Sequence, residues 1–170
     1  MNTIQYNTIQ YNTIQYNTIQ CNAMQLNILL AEDDQDDRDF FDKALKEIPI
    51  PTHLTTVYDG EQLMNYLYKN SEHLPNVLFL DLNMPRKNGF ECLCEIKENE
   101  KLKDLPVVMF STSYPRDSQY EEDMINRLLK IGAHDFIRKS DNLAQLKEFI
   151  HQVINRAAEK ESFNAQGDNL

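Results

Sequence analysis

The stretch Val77-Leu78-Phe79-Leu80-Asp81 decides the fold of this chain, and Leu82-Asn83-Met84-Pro85 follows it directly. Four consecutive apolar residues between Pro75 and Pro85 predict a short strand that is buried on both faces of a parallel sheet. Asp81 ends this strand, so we expect it at the carboxyl edge of the sheet, where open α/β sheets bind ligands. The segment alone leaves two interpretations open for Asp81: a chemical role, or a role in capping the strand or turn.

Strand and helix signals alternate regularly from Leu26 onward. Apolar runs predict strands over residues 26–31, 53–58, 77–81, 106–110 and 134–138. Apolar residues at helical spacing predict helices over about 36–48, 61–69, 90–98, 118–131 and 143–158, with Gly132 capping the fourth. Five such units predict an α/β fold, a flavodoxin-like (βα)5 doubly wound parallel sheet with strand order 2-1-3-4-5.

The 170 residues accommodate one domain of ordinary size with a tail at each end. We expect the domain to occupy residues 26–158 and a polar C-terminal tail to occupy 159–170. Residues 1–25 repeat the unit Asn-Thr-Ile-Gln-Tyr, carry no charged side chain and fit no solenoid period. We interpret them as a low-complexity, disordered tail without an essential chemical role, with an oligomerising arm as the alternative.

Composition excludes several functional classes. The net charge is −10, the pI is near 4.8 and no long basic run occurs, so we expect neither nucleic acid nor a membrane as a partner. A protein or a cation fits this charge better. The cysteines, Cys21, Cys92 and Cys94, match no metal or redox pattern and are expected to be reduced thiols. No apolar stretch reaches transmembrane length and the start does not resemble a secretory signal, so we expect a cytoplasmic protein.

An acidic loop is expected beside Asp81. The predicted strand order brings Glu32-Asp33-Asp34, which follows the first strand, next to the end of the third. Two carboxylates about 4 Å apart repel by roughly 4 kcal/mol at an effective dielectric of 20, so the cluster requires a cation or raised pKa values. Mg²⁺ typically binds one or two protein carboxylates and keeps waters that phosphate oxygens can replace. The residues therefore predict a Mg²⁺ site for phosphoryl chemistry.

Ser111 and Lys139 follow the fourth and fifth strands and are expected at the same sheet edge. Taken singly, each has an ordinary explanation, because serines often end strands and lysines are mostly solvated. Together with Asp81 as a nucleophile, a serine donor and a neutralising lysine complete a phosphoryl-transfer site that needs no separate general base.

These motifs together resemble the receiver domain of two-component response regulators, over about residues 26–158. The resemblance rests on Leu29-Leu30-Ala31-Glu32-Asp33-Asp34, on Phe79-Leu80-Asp81-Leu82-Asn83-Met84-Pro85, and on Ser111 and Lys139. It implies that Asp81 is the phosphoacceptor and that Lys139 contacts the phosphate. It further implies Mg²⁺ ligation by Glu32, Asp33, Asp81 and the backbone carbonyl of Asn83, and switching through Ser111 and Phe136.

The resemblance also implies a function. A sensor histidine kinase or phosphotransfer protein would donate the phosphoryl group, giving an aspartyl phosphate that later hydrolyses, so the chain is a self-modifying switch rather than an enzyme. The acidic start resembles single-domain regulators that include partners of bacterial phytochromes. A downstream protein, or a second copy in a homodimer, would bind the face formed by the fourth helix, fifth strand and fifth helix.

Two alternatives remain at this point: a degenerate receiver that acts as a phosphorylation-independent scaffold, and a flavin or nucleotide binder. The acidic loop disfavours the second, because phosphate loops are rich in Gly or Ser/Thr. The chain departs from the receiver pattern in three places. Ser140 replaces the usual proline, which predicts a trans bond and a shifted final loop. Residues 114–122 form an insertion, and Phe136 replaces a frequent tyrosine and cannot donate a hydrogen bond.

Overall fold

The computed structural model of this protein describes residues 25–111 and 119–167. Its strands are β1 (Leu26–Ala31), β2 (Thr52–Val57), β3 (Val77–Leu80), β4 (Val107–Ser111) and β5 (Asp135–Arg138). Its helices are α1 (Gln35–Lys46), α2 (Gly60–Lys69), α3 (Gly89–Glu98), α4 (Gln119–Ile131) and α5 (Leu143–Gly167). Strand and helix therefore alternate as predicted, with most boundaries displaced by one or two residues.

The strands form one parallel sheet in the order β2-β1-β3-β4-β5, which confirms the predicted flavodoxin-like topology. The register pairs Ala31 with Leu80 and Leu80 with Met109, so the carboxyl ends of β1, β3 and β4 lie side by side. All four residues of β3 are buried. Asp81 is the first residue after β3 rather than its last residue, and it still lies at this carboxyl edge.

Alternate residues of the strands contribute to two separate cores, one on each face of the sheet. On one face, Leu78 and Leu80 pack with buried residues of α2, α3 and α4. On the other face, Phe79 packs with buried residues of α1 and α5, and the Phe41 ring meets it edge-on at a centroid distance of 4.9 Å. Two covered faces explain why the central strand is continuously apolar.

Local sequence signals set several helix ends. Asn88 and Glu91 form a capping box at the start of α3, in which each side chain accepts a hydrogen bond from the backbone N–H of the other. Gly132, with φ of 122°, follows the end of α4. The N–H of Ala133 donates to Leu128 O at 3.0 Å and that of Gly132 to Leu129 O at 3.1 Å, a Schellman arrangement that confirms the predicted glycine cap.

The end of the final helix is the main error in the predicted elements. We expected a helix ending at residue 158, followed by a polar tail, but α5 continues to Gly167. No proline or glycine interrupts residues 143–166, and the polar residues there include good helix formers. The Asn76 side-chain amide also donates to Glu161 Oε1 at 3.0 Å, which ties the extension to the domain.

Two of the predicted features lie outside the described residues. One is the N-terminal repeat over residues 1–24, and the other is the part of the 114–122 insertion that precedes α4. Within the described ranges, no helix combines the length and apolar character needed to cross a bilayer.

Candidate functional site

Asp81 is fixed by backbone contacts on both sides. Its N–H donates to Ala31 O at 2.9 Å, and its side chain is buried, with Oδ2 accepting a hydrogen bond from the Asn83 N–H at 3.0 Å. The start of α3 packs directly against it, since a Cβ placed on Gly89 would lie only 2.1 Å from Asp81 O. A glycine is therefore required where α3 meets the loop after β3.

Three carboxylates converge at this edge as the sequence predicted. One oxygen from each of Glu32, Asp33 and Asp81 lies within 4.8 Å of the others. Glu32 and Asp81 are buried, whereas Asp33 is exposed. Such an all-oxygen set, open to solvent through one member, suits a hard divalent cation that keeps part of its water shell.

Lys139 brings a positive charge into the same site. Its Nζ lies 2.6 Å from Glu32 Oε2, 2.8 Å from Asp37 Oδ2 and 3.2 Å from Asp81 Oδ1, and its side chain is only 10% exposed. The Lys139 N–H donates to Ser111 O at 2.8 Å, so the pairing of β4 with β5 determines where this lysine leaves the sheet.

Ser140, which follows the lysine, caps the loop that leads into α5. No cis peptide bond occurs among the described residues, so the Lys139–Ser140 bond is trans, as predicted. Ser140 Oγ accepts a hydrogen bond from the Asn142 N–H at 3.1 Å and donates one to Gln145 Oε1 at 2.8 Å.

The two predicted switch residues occupy neighbouring strands. Ser111 ends β4 and is 1% exposed, and its Oγ has no hydrogen-bond partner among the described residues. Phe136 pairs with Met109 across β4 and β5 and packs, half-buried, against the core that includes α4. The structure thus brings the Ser111 hydroxyl to the sheet edge and leaves Phe136 on the side of α4.

Burial and charge perturb the titration of the site. Burial, together with the charge of Asp81, raises the pKa of Glu32 from 4.5 to about 7 against the opposing effect of Lys139. Burial also raises the pKa of Asp81, again opposed by Lys139. Burial alone would lower the pKa of Lys139, but the hydrogen bond to Asp37 and the neighbouring carboxylates of Glu32 and Asp81 outweigh it and raise that pKa. One ammonium therefore does not fully compensate the buried carboxylates.

Unsatisfied polar atoms test whether a cation and a phosphoryl group fit. Among the described residues, Glu32 Oε2 and Asp81 Oδ1 are buried and accept no hydrogen bond of good geometry, although both lie within ion-pair distance of Lys139, and Ser111 Oγ has no hydrogen-bond partner. Buried polar groups are normally satisfied, so these three atoms have hydrogen-bonding or ligating capacity that a bound group could use. A cation would satisfy the two carboxylate oxygens, and a phosphoryl oxygen would accept from the hydroxyl.

The sequence analysis assigned no role to two acidic residues near the cluster. Asp34, which the sequence left as an extra carboxylate, caps α1 by accepting hydrogen bonds from the N–H groups of Asp36 and Asp37 at 2.8 and 3.1 Å. Asp37, to which the sequence gave no role, contacts Lys139. The sequence feature that could have indicated this contact is the position of Asp37, an acidic residue in the first turn of the helix that follows the β1 loop.

The fold and site together define a class of protein: a doubly wound α/β domain with an acidic, lysine-containing site at the carboxyl edge of its sheet, in place of a glycine-rich nucleotide loop. The family model described as "Response regulator receiver domain" matches residues 28–151. The chain belongs to this family, as its motifs predicted.

Individual relatives agree with this assignment. The chain is 34% identical over 130 residues to Response regulator Rcp1 of Synechocystis sp., covering 74% of this chain and 84% of Rcp1. The structure of the Mn²⁺-bound form of Rcp1 has a TM-score of 0.63 at 32% identity, covering 75% of this chain and 91% of that one. The phosphorylated cyanobacterial phytochrome response regulator RcpA has a TM-score of 0.65 at 34% identity, covering 76% and 91%.

Proposed function

We propose that this protein is a response regulator that accepts a phosphoryl group on Asp81 from the phosphohistidine of a histidine kinase or phosphotransfer protein. The observation that carries the proposal is the convergence at one sheet edge of a buried Asp81, Lys139 and the Ser111 hydroxyl, which has no hydrogen-bond partner among the described residues. The membership in the receiver family and the phosphorylated state of the relative RcpA support it.

The chemistry is a phosphoryl transfer between two nucleophiles. An Asp81 carboxylate oxygen forms a bond to phosphorus while the bond from phosphorus to the imidazole nitrogen breaks, and the electron pair of that bond leaves with the imidazole. Lys139 balances negative charge on the transferred group, and Ser111 Oγ donates to one of its oxygens. Attack of water on the aspartyl phosphate then restores Asp81 and releases inorganic phosphate.

We further propose that Mg²⁺ is held by Glu32, Asp33, Asp81 and the backbone carbonyl of Asn83. When bound, it supplies positive charge next to the phosphoryl oxygens. The carboxylate cluster supports this ligand set, and a Mn²⁺-bound form is known for the relative Rcp1. The Asn83 N–H already donates to Asp81, which holds the loop that carries this carbonyl close to the cluster.

The proposed output is a change on the face formed by α4, β5 and α5. Ser111 would move toward the phosphoryl group and Phe136 would repack, so that two conformations change their populations. An ion pair between Arg138 of β5 and Glu121 of α4 crosses this face and would respond to the rearrangement. A downstream protein, or a second copy of this chain, would bind one conformation preferentially.

Incubation with a small-molecule phosphodonor and Mg²⁺, followed by intact mass measurement, tests the proposal. The wild type should gain one phosphoryl group, and Asp81→Asn should gain none. Asp104→Asn, at an exposed position before β4 and at the opposite edge of the sheet, is the matched control and should be phosphorylated like the wild type. A wild type that gains no phosphoryl group under these conditions would refute the proposal in favour of a scaffold.

A further inference from the structure

Lys139 contacts three carboxylates, and one of them lies outside the acidic cluster. Its Nζ is close to Glu32 Oε2 and Asp81 Oδ1, at 2.6 and 3.2 Å, but its well-formed hydrogen bond goes to Asp37 Oδ2 at 2.8 Å. Glu32 and Asp81 belong to the group that could hold a metal ion together with Asp33, and Asp37 does not. The lysine is thus shared between the buried site and a carboxylate at its rim.

A metal ion in the cluster and the Lys139 ammonium would compete for the same two buried carboxylates, Glu32 and Asp81. Both cations need Glu32 and Asp81, and the repulsion between them is weakly screened because the site is largely removed from water. An ammonium with another strong partner can withdraw from the two shared carboxylates and remain in the site. Asp37 is that partner in the described structure.

The fold fixes Asp37 without making it a ligand of the cluster. It lies in the first turn of α1, where its N–H donates to the capping carboxylate of Asp34 at 3.1 Å. In the same turn, Arg38 Nη1 donates to Glu32 O at 2.9 Å, which ties the helix to the loop that follows β1. The Asp37 side chain is 37% exposed, whereas that of Glu32 is fully buried, so Asp37 accepts the lysine at a lower desolvation cost.

We propose that Asp37 is a positioning residue: it holds the Lys139 ammonium at the rim, so that a divalent cation binds to Glu32, Asp33 and Asp81 without losing the lysine from the site. This inference deepens the proposed function and rests on it, because it takes the metal site as given. Without Asp37, Glu32 and Asp81 are the remaining carboxylates, among the described residues, that contact the ammonium, so it competes more strongly with the metal ion.

The test is the affinity of the full-length protein for Mg²⁺, measured by isothermal titration calorimetry. Asp37→Asn should raise the dissociation constant about five- to tenfold, a typical coupling between sites. Asp36→Asn removes the same charge from the neighbouring exposed residue, while Lys139 keeps its ion pairs with Glu32, Asp37 and Asp81. This control should change the constant less than about twofold. Asp37→Glu should restore most of the affinity.

A second background separates the lysine contact from general electrostatics. In Lys139→Met, the competing ammonium is absent, so Asp37→Asn and Asp36→Asn should have equal, small effects on Mg²⁺ affinity. Two results would overturn the inference. One is an equal loss of Mg²⁺ affinity in Asp37→Asn and Asp36→Asn when Lys139 is present. The other is a loss of affinity that is specific to Asp37→Asn and persists in the Lys139→Met background. If Lys139→Met does not fold, the comparison of Asp37→Asn with Asp37→Glu decides, and failure of Glu to restore the affinity overturns the inference.

The same measurements distinguish an error in the proposed function from an error in the role of Asp37. A wild type that binds no Mg²⁺ would refute the metal site itself, and the role of Asp37 with it. A wild type that binds Mg²⁺ and accepts a phosphoryl group, but whose Asp37→Asn variant binds as tightly as Asp36→Asn, would refute the role of Asp37 alone.

Discussion

Replacing Glu32 by glutamine should stabilise the metal-free protein at pH 8 and leave its stability near pH 4 unchanged. Burial raises the pKa of Glu32 from 4.5 to about 7 in the folded protein. The folded state therefore keeps a proton that the unfolded state releases, and the free energy of unfolding falls as the pH rises between these two values. Glutamine resembles the protonated acid and removes this loss.

The size of the effect follows from the two pKa values. Each pH unit between 4.5 and about 7 costs about 1.4 kcal/mol, so the wild type should lose roughly 3 kcal/mol relative to Glu32→Gln across this window. The loss is absent below pH 4.5 and complete above about pH 7. For a chain of this size, it corresponds to a melting temperature roughly 6–12 °C higher for the variant at pH 8.

Urea unfolding in the presence of a chelator, at pH values from 4 to 8, measures this difference directly. Glu98→Gln, which removes an exposed carboxylate at the end of α3, is the matched control and should follow the wild type. Mg²⁺ at about a thousandfold excess over its dissociation constant should reverse the order, because the wild type then gains about 4.1 kcal/mol and the variant lacks a ligand. If the free energy of unfolding depends on pH in the same way for the wild type and for Glu32→Gln, the burial of Glu32 carries no such cost and the reasoning is wrong.

Three further predictions concern the glycine that packs against Asp81, the cap of α1 and the two cysteines of α3. Gly89→Ala should destabilise the protein by about 1–3 kcal/mol and impair phosphorylation of Asp81, because its Cβ would lie 2.1 Å from Asp81 O; urea unfolding and intact mass measure the two effects. Asp34→Ala should cost about 1 kcal/mol through loss of the α1 cap, whereas Asp34→Ser should recover most of it in the same unfolding assay. Burial raises the pKa of Cys92 to about 11, so alkylation followed by peptide mapping should label the half-buried Cys94 before Cys92 in native protein and both in urea.

The parts of the fold that the sequence predicted are those that local patterns determine. The apolar run of β3, bounded by prolines, identified a doubly buried strand, and Gly132 identified the end of α4 by the conformation that only glycine adopts easily. The end of α5 lacked such a signal, because no breaker follows residue 158 and polar helix formers continue the helix. Strand order then placed Glu32, Asp33 and Asp81 together without any knowledge of the side-chain packing.

Contacts between distant helices and strands escaped the sequence analysis for a physical reason. Asp37 and Lys139 are separated by 102 residues and meet only because α1 and β5 converge beside the same sheet edge. Nothing in the sequence around Asp37 distinguishes it from Asp36, which is exposed. The role of Asp34 was readable in principle, since an aspartate just before a helix favours capping, but the adjacent acidic loop offered a competing interpretation.

The position of Lys139 shows which sequence departures matter for the site. Serine in place of the usual proline after this lysine predicted a shifted final loop and left open whether the lysine still reaches the site. The Lys139 N–H, however, donates to Ser111 O, and Ser111 pairs with Arg138 in the β4–β5 register, so strand pairing anchors the lysine before the chain reaches Ser140. The ammonium is then held by one carboxylate of α1 and by one carboxylate in each of the loops after β1 and β3. Because these constraints come from the sheet and from charge, the residue after the lysine shapes the loop into α5 without determining whether the lysine reaches Asp81.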